Sequence, residues 1–186
     1  MNTRALSRAT FLSVALASVT LGFVALPHRA TAAPAPTLPS SVRLVDAWDR
    51  SDDIARYRGM PTLLVYEDKD SAQTNILLKR ELAELGKGDR YKKSISLIAV
   101  ADVSSYDYWP ARGFVKDAIQ KESTAQGTLI FCDWTGSVRN ALGLKPSASN
   151  FVLYGRDGAI LFSHTGAMAP ERRAELIALL RRQVDG

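Results

Sequence analysis

The chain has 186 residues, of which 46% are hydrophobic and 23% are charged, and this globular composition excludes a disordered or fibrous chain. Its single cysteine, Cys132, excludes an intramolecular disulfide and a cysteine-based zinc site. Two histidines are too few for a multi-histidine metal site within one chain.

The first 32 residues have the layout of a secretory signal peptide. Arg4 and Arg8 precede an uncharged segment from Phe11 to Leu26, and Ala30-Thr31-Ala32 then supplies the small residues of a cleavage site. The uncharged segment is short for a membrane span, although an uncleaved N-terminal anchor stays open as an alternative. We therefore expect an exported protein that resides in the periplasm or is secreted, with no stable membrane insertion after cleavage.

The predicted leader also carries much of the basic charge. The chain has 24 Lys and Arg residues against 19 Asp and Glu residues, a net charge of +5. Arg4, Arg8 and Arg29 lie in the leader, which has no acidic residue, so the mature chain has a net charge of only +2. We expect no nucleic acid among its partners, because such partners require a strongly basic surface.

The remainder of the chain alternates between strand-like and helix-like segments. Residues 33–40 are rich in proline and are predicted to form an extended lead, followed by one folded domain over residues 41–186. Ser41–Asp46 is predicted to be a short strand and Asp52–Arg58 a turn or two of helix. Continuous apolar runs predict three strands buried on both faces of a sheet, namely Thr62–Glu67, Ser94–Ala101 and Thr128–Cys132.

Helices are predicted to follow these strands. The predicted helices are Ser71–Leu85, a segment that opens at Pro110, Val138–Leu142 and Pro170–Val184. Ser71 is expected to cap the first of them, since serine is a favoured N-cap residue. The inward face of the second is expected to hold Phe114, Val115, Ala118 and Ile119.

The last two strands predict the overall architecture. Asn150–Tyr154 and Ala159–His164 flank Gly155-Arg156-Asp157-Gly158, which is typical of a β-hairpin. Strands that alternate with helices indicate a mostly parallel central sheet, to which this hairpin adds an antiparallel edge before the final helix. Because crossovers place helices on both faces, the predicted fold class is α/β, a three-layer α/β/α sandwich.

Several segments carry a resemblance to the thioredoxin-like redoxin superfamily. Arg43–Asp46 followed by Tyr57–Leu64 resembles the entry of a redoxin, where a short strand ending in Asp precedes a turn into the central strand. Leu129–Gly136 resembles the redoxin segment of a strand followed by Asp-x-x-Gly, and Phe151–Gly158 resembles the hairpin after it. The resemblance to the superfamily covers about Ser41 to Val184. Within the superfamily the chain is most similar to the YtfJ family, small periplasmic thioredoxin-like proteins, to which Leu129–Leu180 aligns without a gap and the aromatic segment and the helix before it also fit.

The chain departs from the redox members of that superfamily at their catalytic positions. The resemblance places the two cysteines of the CxxC motif at Ser71 and Thr74, where Ser71-Ala72-Gln73-Thr74 has hydroxyls that cannot perform thiol–disulfide exchange. It places the cis-proline near Ala148 or Ser149, and neither is proline. The sequence therefore favours a binding or accessory protein of the cell envelope over an enzyme, with no cofactor.

Cys132 leaves an alternative function open. It lies within an apolar strand, which favours a buried thiol, since free cysteine is among the most buried residue types. The alternative is a thiol oxidoreductase or redox sensor that acts through Cys132 alone, as its catalytic residue.

Acidic and aromatic side chains follow the strands at the carboxyl edge of the predicted sheet, where ligands bind in such folds. The candidate binding residues are Glu67, Asp68, Asp70, Ser71, Thr74, Asp102, Tyr106, Tyr108 and Trp109. Carboxylates beside aromatic rings suit a cationic ligand, a peptide or a sugar face, and the expected partner is an envelope protein or an extended peptide. Ca²⁺ or Mg²⁺ is a weaker alternative, because the spacing is not that of an EF-hand, and we predict no metal site. The remaining alternative is that these acids are solvated and Trp109 packs over a helix end.

Two further groups are expected at the surface. Asp46, Asp49, Asp52 and Asp53 are predicted to belong to an exposed turn and helix start, where acids favour the helix dipole. Trp134 is predicted to lie at the surface and to pack against the turn after the third buried strand.

Overall fold

The computed structural model describes residues 37–185. The predicted signal peptide and residues 33–36 of the proline-rich lead lie outside the described residues. Within residues 37–185, no helix has both the length and the apolar character that a membrane span requires.

Seven strands and five α-helices make up this part of the chain. The strands are β1 (Arg43–Val45), β2 (Ser51–Asp53), β3 (Thr62–Glu67), β4 (Ser96–Asp102), β5 (Ile130–Asp133), β6 (Asn150–Tyr154) and β7 (Ile160–Thr165). The α-helices are α1 (Ile76–Gly86), α2 (Asp89–Ser94), α3 (Ala111–Gln126), α4 (Ser137–Leu142) and α5 (Pro170–Asp185). Short 3-10 helices lie at Ile54–Tyr57, Ser71–Gln73 and Ser104–Tyr106.

Five of the strands form one mixed sheet in the order β5-β4-β3-β6-β7. β3 pairs with β4 and β4 with β5 in parallel, while β3 pairs with β6 and β6 with β7 antiparallel. The predicted α/β fold with a C-terminal hairpin and a final helix is confirmed. β1 lies within the short strand predicted at Ser41–Asp46. It forms a separate hairpin with β2, which was not predicted.

The alternation of side chains along β3 divides the core into two faces. On one face Leu63 packs with Leu78 of α1 and Leu176 of α5. On the other face Leu64 packs with residues of the β1–β2 hairpin and of α4, among them Leu44 and Val138. Each fully buried aliphatic side chain of this kind contributes roughly 1.5–3 kcal/mol.

Residues of the predicted lead also belong to the packed domain. Leu38 is buried in the core on the hairpin side, and its N–H donates to the carbonyl of Gly158, 2.8 Å away, in the β6–β7 turn. Arg58 donates to the carbonyl of Leu38 over 2.8 Å. The ordered fold therefore includes residues before position 41.

The inward face of α3 differs from the predicted one. Val115 and Ile119 pack against the core, but Phe114 is 71% exposed and Ala118 is exposed as well. Ser123, one turn after Ile119, is buried and donates to the carbonyl of Thr128. The buried stripe thus repeats every four residues from Val115, and Phe114 lies just outside it.

Candidate functional site

The candidate site lies at the carboxyl edge of the sheet. β3, β4 and β5 run parallel and end there at Glu67, Asp102 and Asp133. Because β6 runs antiparallel to β3 and its Asn150 pairs with Tyr66, the residue before it, Ser149, lies at the same edge. The edge therefore gathers acidic and hydroxyl groups from four strands.

Ser71 closes the turn after β3 together with Asp68. The Ser71 N–H donates to Asp68 Oδ1 over 2.8 Å, and Ser71 Oγ accepts the Asp68 N–H over 3.0 Å. This reciprocal arrangement has the pattern of a capping box, but the N-cap residue of the 3-10 turn that follows is Asp70, whose side chain makes no cap hydrogen bond. The predicted helix Ser71–Leu85 therefore opens as the 3-10 turn Ser71–Gln73, and α1 starts at Ile76. The Ser71 hydroxyl is buried, while Asp70 and Thr74 are exposed.

Glu67 is held by partners on two other elements. Its Oε2 accepts a hydrogen bond from Lys79 Nζ of α1 over 2.8 Å. Its Oε1 accepts one from Ser149 Oγ over 2.5 Å. Both carboxylate oxygens of Glu67 are thus bound within the protein, and the carboxylate is largely buried.

Asn75, which was not among the predicted site residues, binds the same Ser149 hydroxyl as Glu67. Its Nδ2 donates to Ser149 Oγ over 3.0 Å and to the carbonyl of Gly166 over 2.9 Å. Its Oδ1 accepts the N–H of Met168 over 2.8 Å. Asn75 therefore ties the start of α1 to the segment before β6 and to the loop after β7. We call Glu67, Asn75, Lys79 and Ser149 the polar cluster.

Asp102 belongs to a second, separate network. Arg139 Nη1 of α4 donates to Asp102 Oδ2 over 2.7 Å, and Ser104 Oγ donates to Asp102 Oδ1 over 2.6 Å. The Tyr66 hydroxyl donates to Asp133 Oδ2 over 3.1 Å, and this oxygen also accepts the N–H of Arg139. Arg139 thus joins both carboxylates. The sequence feature that could have indicated this network is that the parallel strands β4 and β5 end at the same edge of the sheet, each with an aspartate.

The pKa values in this network follow from these contacts. Burial raises the pKa of Asp102, but hydrogen bonds from the Ser104 hydroxyl and N–H and the charge of Arg139 outweigh it, so the pKa lies below its ordinary value. Burial and the neighbouring carboxylates Asp102 and Asp133 raise the pKa of Tyr66 far above its ordinary value. At neutral pH Asp102 is therefore ionised beside the Arg139 guanidinium, and Tyr66 is a neutral phenol.

The carboxylates among the predicted binding residues do not form one cluster, because some belong to the two networks above and others face the solvent. Glu67 and Asp102 are paired with cations, whereas Asp70 is exposed. Among residues 37–185, no group of three His, Cys, Asp or Glu side chains is placed to hold a metal ion. The paired carboxylates already have their charge compensated by Lys79 and Arg139.

The aromatic residues of the candidate site have very different environments. Tyr106 is half-buried against Cys132 and Trp134. Tyr108 is 60% exposed and Trp109 is 91% exposed, so Trp109 does not pack over a helix end. Next to them, Asp107 pairs with Arg112 of α3. The loop between β4 and α3 therefore presents two aromatic side chains to solvent at the carboxyl edge, and we call Tyr108 and Trp109 the aromatic loop.

Cys132 is buried at the end of β5, as predicted. It is 4% exposed, and burial together with the nearby charge of Asp46 raises the pKa of its thiol to about 12. Asp46 was predicted to be exposed, but it is buried. Its carboxylate accepts the N–H groups of Trp48 and Arg50 and pairs with the Arg50 side chain over 2.6 Å. At neutral pH the Cys132 thiol is therefore protonated.

Comparisons with known proteins agree with this architecture. The model of the family described as "Bacterial protein of unknown function (YtfJ_HI0045)" matches residues 69–183. No curated protein is significantly similar to the chain in sequence.

Solved structures show which fold the chain has. An uncharacterized conserved protein from Geobacillus kaustophilus is 16% identical with a TM-score of 0.60, covering 82% of each chain. A candidate thiol:disulfide interchange protein DsbE from Chlorobium tepidum is 14% identical with a TM-score of 0.58, covering 81% of this chain and 96% of its own. The exposed lipoprotein thioredoxin of Streptococcus pneumoniae is 12% identical with a TM-score of 0.57, covering 76% and 98%. At these identities the likeness shows a thioredoxin-like fold alone.

Proposed function

The chain belongs to the YtfJ_HI0045 family, and from this premise we propose that it is a binding or accessory protein of the bacterial cell envelope. In this proposal it does not exchange disulfides, and it docks an extended segment of a partner protein at the carboxyl edge of its sheet. Export to the periplasm is part of the proposal and rests on the signal-peptide pattern of residues 1–32.

The groups at the redox positions support a role without disulfide exchange. Ser71 and Thr74 stand where the redox members of the fold have cysteines, and Ser71 is buried and hydrogen-bonded to Asp68. A serine hydroxyl needs an adjacent base to become a nucleophile. The Ser71 side chain contacts only Asp68 among its described hydrogen-bond partners.

The alternative of an oxidoreductase acting through Cys132 has less support. A reactive thiolate requires a lowered pKa and access to solvent. Cys132 has a raised pKa and a buried side chain, and it is the only cysteine of the chain. We therefore do not propose this alternative.

The exposed ring of Trp109 is the observation that carries the binding proposal. The Trp109 ring is 91% exposed and lies beside exposed Tyr108 in the loop between β4 and α3. Large aromatic rings that the fold does not need are favoured at binding surfaces, where they bury much area at a small entropic cost. An extended peptide with aromatic or aliphatic side chains would bury this surface.

The proposal is tested with a fluorescein-labelled library of unstructured decapeptides that differ in apolar content and charge. We expect fluorescence anisotropy to detect binding of the apolar-rich peptides to the wild-type chain. Trp109→Ala should weaken that binding by about tenfold or more, as expected of an aromatic hot spot. Trp48→Ala is the matched control, because Trp48 is an exposed tryptophan on the β1–β2 hairpin.

Two results would contradict the proposal. One is that no peptide binds, or that Trp109→Ala and Trp48→Ala change the peptide affinity equally. The other is reduction of insulin disulfides by the purified wild-type chain, which a protein without a reactive thiol cannot catalyse.

A further inference from the structure

Trp48 differs from the other two tryptophans of the chain in its exposure. Trp134 was predicted at the surface but is only 7% exposed, and Trp109 is 91% exposed, whereas Trp48 is 42% exposed. Trp48 lies in the turn of the β1–β2 hairpin, between Asp46 and Arg50. The fold thus covers part of the Trp48 ring and leaves a large part of it open to solvent.

The turn that carries Trp48 is fixed by contacts within the hairpin. The buried carboxylate of Asp46 accepts the N–H of Trp48 over 2.8 Å and binds the Arg50 side chain over 2.6 Å. The Arg50 guanidinium in turn lies 5.0 Å from the centre of the Trp48 ring, which is a cation–π contact. These contacts restrain the Trp48 ring without burying it.

Helix α3 holds the same turn from the other side. Lys116 pairs with Asp49, and the Gln120 side chain donates to the carbonyl of Ala47 over 2.8 Å. The residues before and after Trp48 are thus both bound to α3. Because the turn is already ordered in the free protein, a ligand that packs against the Trp48 ring has little further ordering to offset.

An open groove of about 530 Å³ lies between Trp48 and α3. The helix residues that line it follow the spacing i, i+3, i+4, i+7 and i+8, namely Asp117, Gln120, Lys121, Thr124 and Ala125. This spacing places them side by side on one face of the helix. The volume of the groove is within the range of small-molecule sites.

The charges that line the groove cancel, and its polar groups are available to a ligand. Asp117 and Lys121 contribute one negative and one positive charge, and within residues 37–185 neither forms an ion pair. Thr124 adds a hydroxyl and Gln120 an amide carbonyl. This lining offers hydrogen-bond donors and acceptors but no net charge that would favour an ion over a neutral ligand.

We propose that this groove binds a neutral saccharide. A pyranose ring has an apolar C–H face, which packs against the exposed part of the Trp48 indole. Its hydroxyls donate to the Asp117 carboxylate and accept from the Lys121 ammonium group. A ligand with an apolar face and many uncharged hydroxyls matches an aromatic ring beside a charge-balanced polar helix face. The groove shares no residue with the aromatic loop, so this site goes beyond the proposed docking of a peptide.

Titration of the ¹⁵N-labelled full mature chain with neutral trisaccharides tests this proposal. The probes are maltotriose, cellotriose and triacetylchitotriose, and sorbitol is the control because it is an acyclic polyol without a ring face. We expect at least one trisaccharide to bind with a dissociation constant of about 10 mM or tighter. It should shift the indole N–H signal of Trp48 and leave that of Trp109 in place.

Four substitutions separate the groove from the rest of the surface. Trp48→Ala should weaken the binding of that trisaccharide by about tenfold or more, and Trp109→Ala, its matched control, should leave the affinity unchanged. Asp117→Ala, at an exposed helix position, should weaken binding by about fivefold through the loss of an acceptor. Glu122→Ala removes a carboxylate of α3 that does not line the groove, and it should have no effect.

The proposal is overturned if no trisaccharide binds more tightly than about 10 mM, or if sorbitol shifts the Trp48 signal equally. It is also overturned if Trp48→Ala and Trp109→Ala change the saccharide affinity alike, or if Asp117→Ala and Glu122→Ala do. Peptide binding is expected to depend on Trp109 and saccharide binding on Trp48, so each of the two proposals can fail alone.

Discussion

The polar cluster and the aromatic loop lie at the same edge of one sheet and differ in how completely their groups are satisfied. In the polar cluster, Glu67, Asn75 and Ser149 bind one another or neighbouring backbone groups. In the aromatic loop, Tyr108 and Trp109 present large apolar surfaces to water. Buried polar groups that are fully paired stabilise a fold, whereas exposed aromatic rings contribute little to it.

This difference bears on where the proposed partner would bind. The turn after β3 is closed by the hydrogen bonds between Ser71 and Asp68, and Glu67 at the end of β3 is bound by Lys79 and Ser149. The neighbouring loop after β4 is open. A binding function therefore fits the aromatic loop better than the polar cluster, and the following predictions separate interior groups from that surface.

The largest expected effect is on the rate at which the Cys132 thiol is labelled. A pKa of about 12, against an ordinary value of 9.0, lowers the thiolate fraction at neutral pH about a thousandfold. Labelling of the native chain with a disulfide reagent at pH 7 should therefore be at least about a thousandfold slower than labelling of the chain unfolded in guanidinium. Native labelling within tenfold of the unfolded rate would reopen the oxidoreductase alternative.

Arg139→Ala should cause the largest loss of stability. It leaves the buried Asp102 carboxylate without its cation, and we expect the free energy of unfolding in urea to fall by about 2 to 3 kcal/mol. Lys87→Ala is the control, because its pair with Glu84 is exposed on both sides and should contribute less than about 1 kcal/mol. Equal effects of the two variants would mean that the Asp102 network does not stabilise the fold.

The same pair has a signature in acid. The pKa of Asp102 is lowered on folding, so its contribution is fully present above the unfolded value of 3.8 and is lost as pH falls below it. Removal of Arg139 removes one cause of the lowered pKa, and the decline of stability below that pH should become shallower. If Arg139→Ala lost stability below pH 3.8 as steeply as the wild-type chain, Arg139 would not be a cause of the lowered pKa of Asp102.

Gly136→Ala should cost about 2 kcal/mol in the same urea assay. Gly136 has a φ of +72°, and a Cβ there would lie 2.4 Å from Arg139 Nη2 and displace the guanidinium that binds Asp102. Gly127 also has a left-handed φ, of +61°, but a Cβ there would meet no atom within 4 Å. Gly127→Ala should therefore cost only about 1 kcal/mol, from backbone strain alone. Identical costs would show that Arg139 adapts freely.

Trp109→Ala should have the smallest effect on stability, within about 0.5 kcal/mol of the wild-type chain. Its ring is almost entirely exposed, so its removal forms no cavity. A larger loss of stability in the urea assay would mean that Trp109 belongs to the packed structure, and the binding proposal would lose its main support.

Local patterns predicted the elements well where burial is continuous. The apolar runs at Thr62–Glu67 and Ser94–Ala101 became β3 and most of β4, and Pro170 opens α5. The patterns failed where one residue decides the face. Phe114 was assigned to the inward side of α3, but the buried stripe passes through Val115 and Ile119. A shift of one residue rotates a helical position by about 100°.

The polar interior was the least predictable part. Asp102 and Glu67 were recognised as acids at the ends of adjacent strands, but the residues that bind them were not. Arg139 is 37 residues from Asp102 along the chain, and Ser149 is 82 residues from Glu67. Neither pairing has a periodic signal, because each depends on how whole elements pack. Asp46 was expected at the surface for the same reason, since its burial depends on the fold of the hairpin.

The order of residues by itself determined the alternation of strands and helices and the absence of thiols at positions 71 and 74, because periodicity and side-chain chemistry are local properties. Only the tertiary structure decided that Asp46 is buried, that Glu67 and Asp102 are paired with cations, and that Trp109 is exposed while Trp134 is not. The physical reason is that burial, desolvation and charge compensation depend on neighbours that are distant in sequence and meet only when the sheet and its helices are assembled.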